Sequence, residues 1–216
     1  MQNNITYQII HDNQKLLCFV GIGDISKTLY SCLKNQQASE MITVEDLKLK
    51  DQDWINNRQF IVASSDVKFK IDITRYLEKF QAHFFSIVST ATELGPLAKI
   101  GHGTCVQSYN SVWLGKIQIG NHVMIGVHNA IGHDIVIEDY SHVSHHSFLS
   151  QCTIKQGCVI GTRVDIVPAT LGQQLVIPEF CNILSRSRIS SSLPTSGTWY
   201  DKRQVSEDTS LTHRIL

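Results

Sequence analysis

The sequence predicts a mainly β protein in which a small α/β domain is followed by a parallel β-helix of hexapeptide repeats. Aliphatic residues recur at every sixth position through the second half of the 216-residue chain. Before Leu94, apolar runs alternate with helix-like segments. Charged residues make up only 18% of the chain, below the usual quarter, as expected when many positions face a core or a tight corner.

The six-residue period defines the second half of the chain. It fits neither an α-helix nor an amphipathic strand, and is the signature of a β-helix whose short strands wrap a triangular prism. Single-residue adjustments extend the period on both sides of its unbroken stretch. Seventeen positions at three per coil predict between five and six coils, each aliphatic side chain stacking inward on the next coil. The positions are Leu94, Ile100, Val106, Val112, Ile119, Ile125, Ile131, Ile137, Val143, Leu149, Ile154, Ile160, Ile166, Leu171, Ile177, Ile183 and Ile189.

The corners of the coils are also predictable where the period is unbroken. No residue is inserted between Ile125 and Leu149, so residues 18 apart are expected to stack in successive coils. This spacing places His128 over His146 and His122 over Tyr140.

The first part of the chain reads as alternating strands and helices. Apolar runs at residues 16–20, 60–63 and 83–88 predict strands, and residues 26–35 predict a helix. A second helix follows Ser64-Ser65-Asp66, where Ser or Asp is a suitable N-cap. Such alternation predicts a small parallel sheet of βαβ units. The expected divisions are an N-terminal arm (1–15), an α/β domain (16–90), the β-helix (91–190) and a C-terminal tail (191–216).

Charge and cysteine content narrow the class of protein. Lys and Arg number 19, Asp and Glu also 19, so the formal charge is zero with the ten histidines neutral. This balance argues against binding to nucleic acid or to an acidic membrane. No apolar run reaches the length of a membrane helix and no secretory signal is visible. The six cysteines are therefore expected to be reduced and mostly buried, in a cytoplasmic protein.

Two motifs lie inside the repeats: Ile131-Gly132-His133-Asp134, and Tyr140-Ser141-His142-Val143-Ser144. With the preceding α/β domain, they resemble the sugar O/N-acetyltransferases that act on nucleotide-linked 4-amino sugars of the bacillosamine and perosamine type, and on sialic acid. The resemblance covers roughly residues 16–190. It implies a left-handed β-helix, a Rossmann-like N-terminal domain and a role in surface polysaccharide biosynthesis. It also implies a homotrimer that holds acetyl-CoA, the co-substrate, between adjacent β-helices.

The resemblance assigns the catalytic chemistry to two neighbouring residues. His133 matches the family's general base, which removes a proton as the sugar amine attacks the thioester. Histidine suits this step because its ordinary pKa lies near working pH. Asp134 matches the acidic neighbour that holds the imidazole tautomer and stabilises the imidazolium. No metal is implied.

The resemblance also assigns the binding residues. His142 matches the second histidine, which contacts the cofactor near the thioester. Coenzyme A is expected along Gly161, Thr162 and Arg186, with Arg188 also able to meet its phosphates. The acceptor, a nucleotide sugar or a sialic acid, is expected in the N-terminal domain. Its contacts would be Gly21, Gly23, Asp24 and Asp66.

Some positions depart from the family pattern. The turn reads Gly21-x-Gly23-x-x-Ser26, without the third glycine of a dinucleotide fingerprint, which argues against NAD. The acidic run of the family is represented by Glu45-Asp46 alone. Gln151 stands where the family has a small residue near the thioester oxygen, and its side chain or backbone N–H is a potential oxyanion donor.

Two alternatives remain open from the sequence. One is a catalytically decayed trimeric scaffold, because of these departures. The other is a zinc carbonic anhydrase of the β-helix type, since His128 and His133 match the spacing of two of its three ligands. The third ligand is expected at position 92, which is Thr92, so the three-ligand pattern fails. N-acetylation and O-acetylation, and the identity of the nucleotide, stay undistinguished.

Overall fold

A computed structural model of the chain describes residues 7–10, 15–33, 39–113 and 115–206. Its first part contains a parallel sheet with the strand order β3-β2-β4-β5. Burial of four consecutive residues in β2 shows that both sides of this sheet are covered, as is usual for parallel strands. The elements are β1 (Tyr7–Ile10), β2 (Leu16–Val20), α1 (Asp24–Leu33), β3 (Ser39–Ile42), α2 (Val44–Leu47), α3 (Gln52–Asn56), β4 (Arg58–Ile61), α4 (Val67–Glu78) and β5 (His83–Phe84).

The predicted strands and helices of this region are present, with small shifts in their ends. Helix α4 begins where expected, because the Asp66 side chain accepts a hydrogen bond from the Phe69 N–H at 3.0 Å. The helix predicted over residues 26–35 begins two residues earlier, at Asp24, and Asn35 lies outside the described residues. The strand predicted over residues 83–88 is divided into two, β5 and its successor.

The rest of the described chain consists of short strands in regular succession. They are β6 (Ser86–Ser89), β7 (Glu93–Leu94), β8 (Ala98–Ile100), β9 (Cys105–Val106), β10 (Ser111–Val112), β11 (Ile117–Ile119), β12 (Met124–Ile125), β13 (Ala130–Ile131), β14 (Ile135–Ile137), β15 (His142–Val143), β16 (Phe148–Leu149), β17 (Cys152–Ile154), β18 (Val159–Ile160), β19 (Asp165–Ile166), β20 (Leu175–Ile177), β21 (Asn182–Ile183), β22 (Arg188–Ile189), β23 (Thr198–Tyr200) and β24 (Arg203–Ser206). Most are two or three residues long, as a coil with sharp corners requires.

These strands build three sheets, which the chain visits in turn. Face one has the order β1-β6-β9-β12-β15-β18-β21-β23-β24, face two β22-β19-β16-β13-β10-β7, and face three β20-β17-β14-β11-β8. Every pairing between successive coils is parallel and in register, for example Ile119 with Ile137 and Ile137 with Ile154. The aliphatic ends of the strands form one continuous buried cluster. A mainly β protein with parallel sheets is therefore confirmed.

The prediction that Leu171 points into the core of the repeat is wrong. Its side chain is 91% exposed. It lies in the loop from β19 to β20, and Ile177, rather than Leu171, pairs with Ile154. The coil therefore contains an insertion of five residues, which a strict period cannot show. Leu94 and Ile100 are also only partly covered, because β7 and β8 are end strands with one neighbour each.

Both flanking segments join face one. Strand β1 pairs antiparallel with β6, which pairs parallel with β9, so the expected arm is attached to the β-helix. At the other end, β23 pairs parallel with β21 and antiparallel with β24, inside the expected tail. The expected boundary at residue 90 falls between β6 and β7, although β6 already belongs to face one.

The corner stacking is confirmed. The rings of His128 and His146 are 5.0 Å apart and nearly parallel, and those of His122 and Tyr140 are 5.2 Å apart. All six cysteines are free, and five are buried. Within the described residues, no helix is long and apolar enough to span a membrane.

Candidate active site

A cavity of about 860 Å³ lies where the N-terminal sheet faces the β-helix. One wall is formed by the loops that follow the carboxyl ends of β2, β3 and β4. The opposite wall is formed by outward residues of face one, which include Met124, His142 and Val159. Ligands of open α/β sheets bind at the carboxyl ends of the strands, so this cavity is the natural candidate site.

Six of the ten residues assigned from the sequence line this cavity, and four do not. The six are Gly21, Gly23, Asp66, His142, Gly161 and Thr162. The four outside its lining are Asp24, His133, Asp134 and Arg186. Residues expected to bind the acceptor and residues expected to bind the cofactor thus share one cavity within a single chain, whereas the expected catalytic pair lies elsewhere.

The glycine turn lies on the sheet side of the cavity, the wall where the acceptor is expected (the acceptor-side wall). Gly21 has a φ of 92°, a conformation that favours glycine, and its N–H donates to the Ile42 carbonyl at 2.9 Å. The Ser26 hydroxyl donates to the Ala63 carbonyl at 3.1 Å and so ties this turn to the loop after β4. Gly23 precedes α1, whose first turn leaves backbone N–H groups directed toward the turn.

The loop before α4 and the start of α2 complete this wall. The Asp66 carboxylate caps α4, while its own N–H donates to Ser64 Oγ at 3.1 Å. Glu45 lines the cavity and is exposed, but it was not among the residues assigned to the acceptor. Its neighbour Asp46 accepts instead from the Thr43 hydroxyl at 2.8 Å, within the cap of α2.

His142 is one of the polar residues of the opposite wall. Its Nε2 lies 3.2 Å from Ser144 Oγ, and its buried Nδ1 has no hydrogen-bond partner among the described residues. Burial, with smaller effects from Lys70 and His145, lowers the pKa of His142 to about 3. The imidazole is therefore neutral across the physiological range.

Gly161 and Thr162 lie on the opposite wall, where the cofactor is expected (the cofactor-side wall). A Cβ on Gly161 would meet the Ser185 backbone nitrogen at 2.6 Å, so only glycine fits between these coils. Arg186 lies on the next coil, where its N–H donates to the Thr162 carbonyl at 2.9 Å. Arg188 is exposed on β22, and its N–H donates to Asp201 Oδ1 at 2.6 Å.

His133 and Asp134 occupy the turn between β13 and β14, where face two meets face three. His133 Nδ1 lies 3.0 Å from Asp134 Oδ2, with the side chains 45% and 55% exposed. Asp134 has a φ of 57°, and its carbonyl accepts from Gln174 Nε2 at 3.1 Å. The carboxylate therefore holds one ring nitrogen and leaves the other open to solvent.

Gln151 cannot serve as a donor through its backbone, contrary to the expectation. Its N–H already donates to the His133 carbonyl at 3.0 Å. Only the side chain of Gln151 remains as a potential oxyanion donor. The same bond ties the turn that carries His133 to the next coil.

Two residues around His142 could not be assigned from motifs. His145 also lines the cavity, and its Nδ1 accepts from the Val127 N–H at 3.0 Å. Lys70, on α4, is buried and reaches the same coils. The one sequence signal for Lys70 is that a lysine occupies a position on the apolar face of helix α4. The described residues contain no group of three or more His, Cys, Asp or Glu side chains placed to hold a metal.

Comparison with solved structures shows which proteins share this fold. The acetyltransferase domain of PglB from Neisseria gonorrhoeae superposes with a TM-score of 0.72 at 16% identity, over 85% of this chain and 95% of that one. A mutant of GDP-perosamine N-acetyl transferase from Caulobacter crescentus, in complex with CoA and GDP-perosamine, gives 0.74 at 14%, over 84% and 91%. WeeI from Acinetobacter baumannii AYE gives 0.72 at 16%, over 85% and 95%.

Sequence comparison adds no relative. No protein-family model matches the chain, and no curated protein matches it. At 14–16% identity, the structural similarity shows a shared fold. The sequence motifs resemble sugar acetyltransferases, and the solved structures that share the fold include proteins of that kind.

Proposed function

We propose that this chain is an acetyl-CoA-dependent acetyltransferase that acts on the amine, or a hydroxyl, of a sugar. The acceptor class is a nucleotide-linked amino sugar, used for surface polysaccharide synthesis in the cytoplasm. The observation that carries the proposal is the fold shared with an enzyme solved in complex with CoA and GDP-perosamine. The cavity that collects six of the assigned binding residues supports it.

The proposal includes a division of labour along the chain. Residues 16–90 form a Rossmann-like domain that holds the nucleotide sugar, between an N-terminal arm (1–15) and the β-helix (91–190). The β-helix is left-handed and binds acetyl-CoA, and residues 191–216 form a C-terminal tail. The parallel pairing between successive coils on three faces and the four-stranded parallel sheet support this division.

His133 acts as the general base in this proposal. Asp134 accepts a hydrogen bond from His133 Nδ1–H, which leaves Nε2 unprotonated and able to accept a proton. The acceptor nitrogen attacks the thioester carbon and loses its proton to Nε2 as the tetrahedral intermediate forms. The C–S bond then breaks as the amide forms, and the departing thiolate takes the proton back from the His133 imidazolium, which gives free CoA and the neutral base.

Neutral His142 orients the thioester. A neutral imidazole carries one N–H donor and no charge, so it can hydrogen-bond a carbonyl without repelling an approaching amine. Gly161 lets the pantetheine arm approach the backbone closely, since it has no side chain between the coils. The backbone N–H groups beside Gly21 and Gly23 suit an anionic diphosphate.

A homotrimer completes the site. Within one chain, His133 lies outside the cavity that holds His142 and the glycine turn. A neighbouring copy is therefore needed to bring its exposed His133 to this cavity, so that each active site lies between subunits. Closed rotational symmetry supplies three such sites from one repeated contact.

Ligand binding and turnover test the proposed function. Acetyl-CoA at 100 times its Kd stabilises a protein by about 2.7 kcal/mol, so the melting temperature should rise with acetyl-CoA and with CoA. Adding UDP-, GDP- or dTDP-linked amino sugars, or sialic acid, should raise it further for the true acceptor and release CoA thiol. No shift with either form of coenzyme A would favour a scaffold, and stoichiometric zinc in a metal analysis would favour a carbonic anhydrase.

His133→Ala tests the assignment of the base. The variant should lose acetyl transfer while light scattering still reports a trimer and CoA still binds. The matched control is His83→Ala, which removes an exposed imidazole from β5. Transfer by His133→Ala at the rate of the control would contradict the assignment.

A further inference from the structure

Lys70 is a buried lysine that the proposed chemistry does not use. It lies on α4, four residues after the cap Asp66, and only 1% of it is exposed. Its Nζ donates to the His122 carbonyl at 3.1 Å and to the Ser141 carbonyl at 3.4 Å. Those two carbonyls belong to successive coils of the β-helix.

The bonds of Lys70 connect the two walls of the cavity. Its backbone N–H donates to the Asp66 carbonyl at 3.0 Å, and Asp66 lines the acceptor-side wall. Its ammonium bonds the carbonyl of Ser141, the residue directly before His142 on the cofactor-side wall. The Ser141 carbonyl also accepts from the Met124 N–H at 3.0 Å, so the bond from Lys70 reaches the ladder of face one itself.

Packing alone does not explain a lysine at this position. An uncharged side chain of the same length would fill the space without the cost of desolvating an ammonium. The ionisable groups that face Nζ are Asp66 on its own helix, Cys105 and His142 on face one, and His122 in the turn before β12. Burial lowers the pKa of Lys70 to about 7, so holding this amine in place has a cost in stability.

We propose that Lys70 is a positioning residue for acetyl transfer, which fixes the acceptor-side wall at a set distance from the strand that carries His142. This inference rests on the proposed function and deepens it. The coils of the β-helix bind the cofactor and keep their own geometry, whereas the sugar must be aligned by the other wall. Loss of the tie therefore misplaces the acceptor and leaves the cofactor site intact.

Lys70→Met tests this role, with Lys68→Met as the matched control. Lys68 lies on the same helix, but its side chain is 82% exposed and pairs with Asp72. A misplacement of about 1 Å can reduce a rate 10²-fold, so kcat/KM for the acceptor should fall about 10- to 100-fold in Lys70→Met. The KM for acetyl-CoA and the Kd for CoA should stay within about threefold of the control. The number of CoA sites per chain should also equal that of the control, which a general loss of folded protein would not allow. Lys70→Gln, which keeps one donor, should lie between the two.

Amide hydrogen exchange tests the connection between the two walls without any substrate. In Lys70→Met, amides of residues 64–70, 122–126 and 141–145 should exchange faster, while those of β19 and β22 should not change. Unchanged exchange at both walls, or an acceptor kcat/KM equal to that of Lys68→Met, would overturn the role of Lys70 alone. If Lys70→Met does not fold, Lys70→Gln decides by the same measurements. A wild-type chain without any transfer activity would instead overturn the proposed function, and the positioning role with it.

Discussion

The imidazole ring of His128 lies parallel to that of His146, with centroids 5.0 Å apart and an interplanar angle of 6°. The ring of Tyr109 stacks on the other side of His128, also at 5.0 Å. All three residues have a positive φ, of 60°, 59° and 57° from Tyr109 to His146. This ladder of rings therefore depends on a left-handed backbone at each turn of one corner.

Substitutions at His146 should separate backbone strain from ring stacking. His146→Asn removes the ring but keeps a residue that tolerates positive φ, whereas His146→Val introduces a β-branched residue that does not. The valine variant should be about 1–2 kcal/mol less stable than the asparagine variant, measured by urea unfolding. Equal stability of the two would show that the corner does not constrain the backbone.

Acid should destabilise the fold through two buried histidines. Burial lowers the pKa of both His122 and His142 to about 3, from an unfolded value of 6.5. Between these values the unfolded chain binds protons that the folded chain does not, so the free energy of unfolding falls as pH drops from 6.5 toward 3. Each group contributes up to about 1.4 kcal/mol per pH unit. His122→Asn with His142→Gln should flatten this dependence in urea titrations at pH 7 and pH 5, and exposed His83→Gln should leave it unchanged.

Gly161 should tolerate no side chain. The added Cβ of Gly161→Ala would lie 2.6 Å from Ser185 N and 2.8 Å from Ile183 O, both backbone atoms of the next coil. Overpacking of this kind costs about 1–3 kcal/mol. Gly23→Ala is the control, since nothing lies within 4 Å of its added Cβ, and it should stay within about 0.5 kcal/mol of the wild type. Thermal unfolding measures both, and a wild-type midpoint for Gly161→Ala would refute the close approach.

Truncation of Ile166 should destabilise the fold, whereas truncation of Leu171 should not. Ile166 is fully buried, so Ile166→Ala should lose about 2–5 kcal/mol of unfolding free energy. Leu171 is 91% exposed, so Leu171→Ala should change it by less than about 0.5 kcal/mol. Comparable losses in urea unfolding would mean that Leu171 packs in the core after all.

Asp134 should matter for turnover more than for folding. Asp134→Asn keeps the shape and the tolerance of the φ of 57°, but removes the charge that stabilises an imidazolium on His133. Acetyl transfer should fall by about 10²-fold with little change in melting temperature. Asp53→Asn, on exposed α3, is the control. Full activity of Asp134→Asn would remove Asp134 from the catalytic pair.

The fold was predictable from the sequence wherever the six-residue repeat holds. The period placed Ile119, Ile137 and Ile154 in one row because every third aliphatic position of the repeat returns to the same face, even where one coil is a residue shorter. It failed at Leu171, because an aliphatic residue in an inserted loop satisfies the same arithmetic as one in the core.

The site was less predictable than the fold. Motifs pointed to Gly21 and His142, and the structure brings both to one cavity. Lys70 belongs to no motif, and its role depends on carbonyls 52 and 71 residues away in the chain. His133 lies outside the cavity because its corner is not the side of the β-helix that faces the N-terminal sheet. The residue spacing alone does not show which side faces that sheet.

The antiparallel strands at the two ends of face one bear on solubility. A bare parallel edge would present unpaired backbone groups to other chains and invite aggregation. Here β1 covers β6 at one end, and β24 closes the other end behind β23. Each end thus finishes in one short strand that runs against the direction of the coils. In face one, the strand of an extra coil would therefore be inserted between these two antiparallel strands, where it meets a parallel partner on both sides.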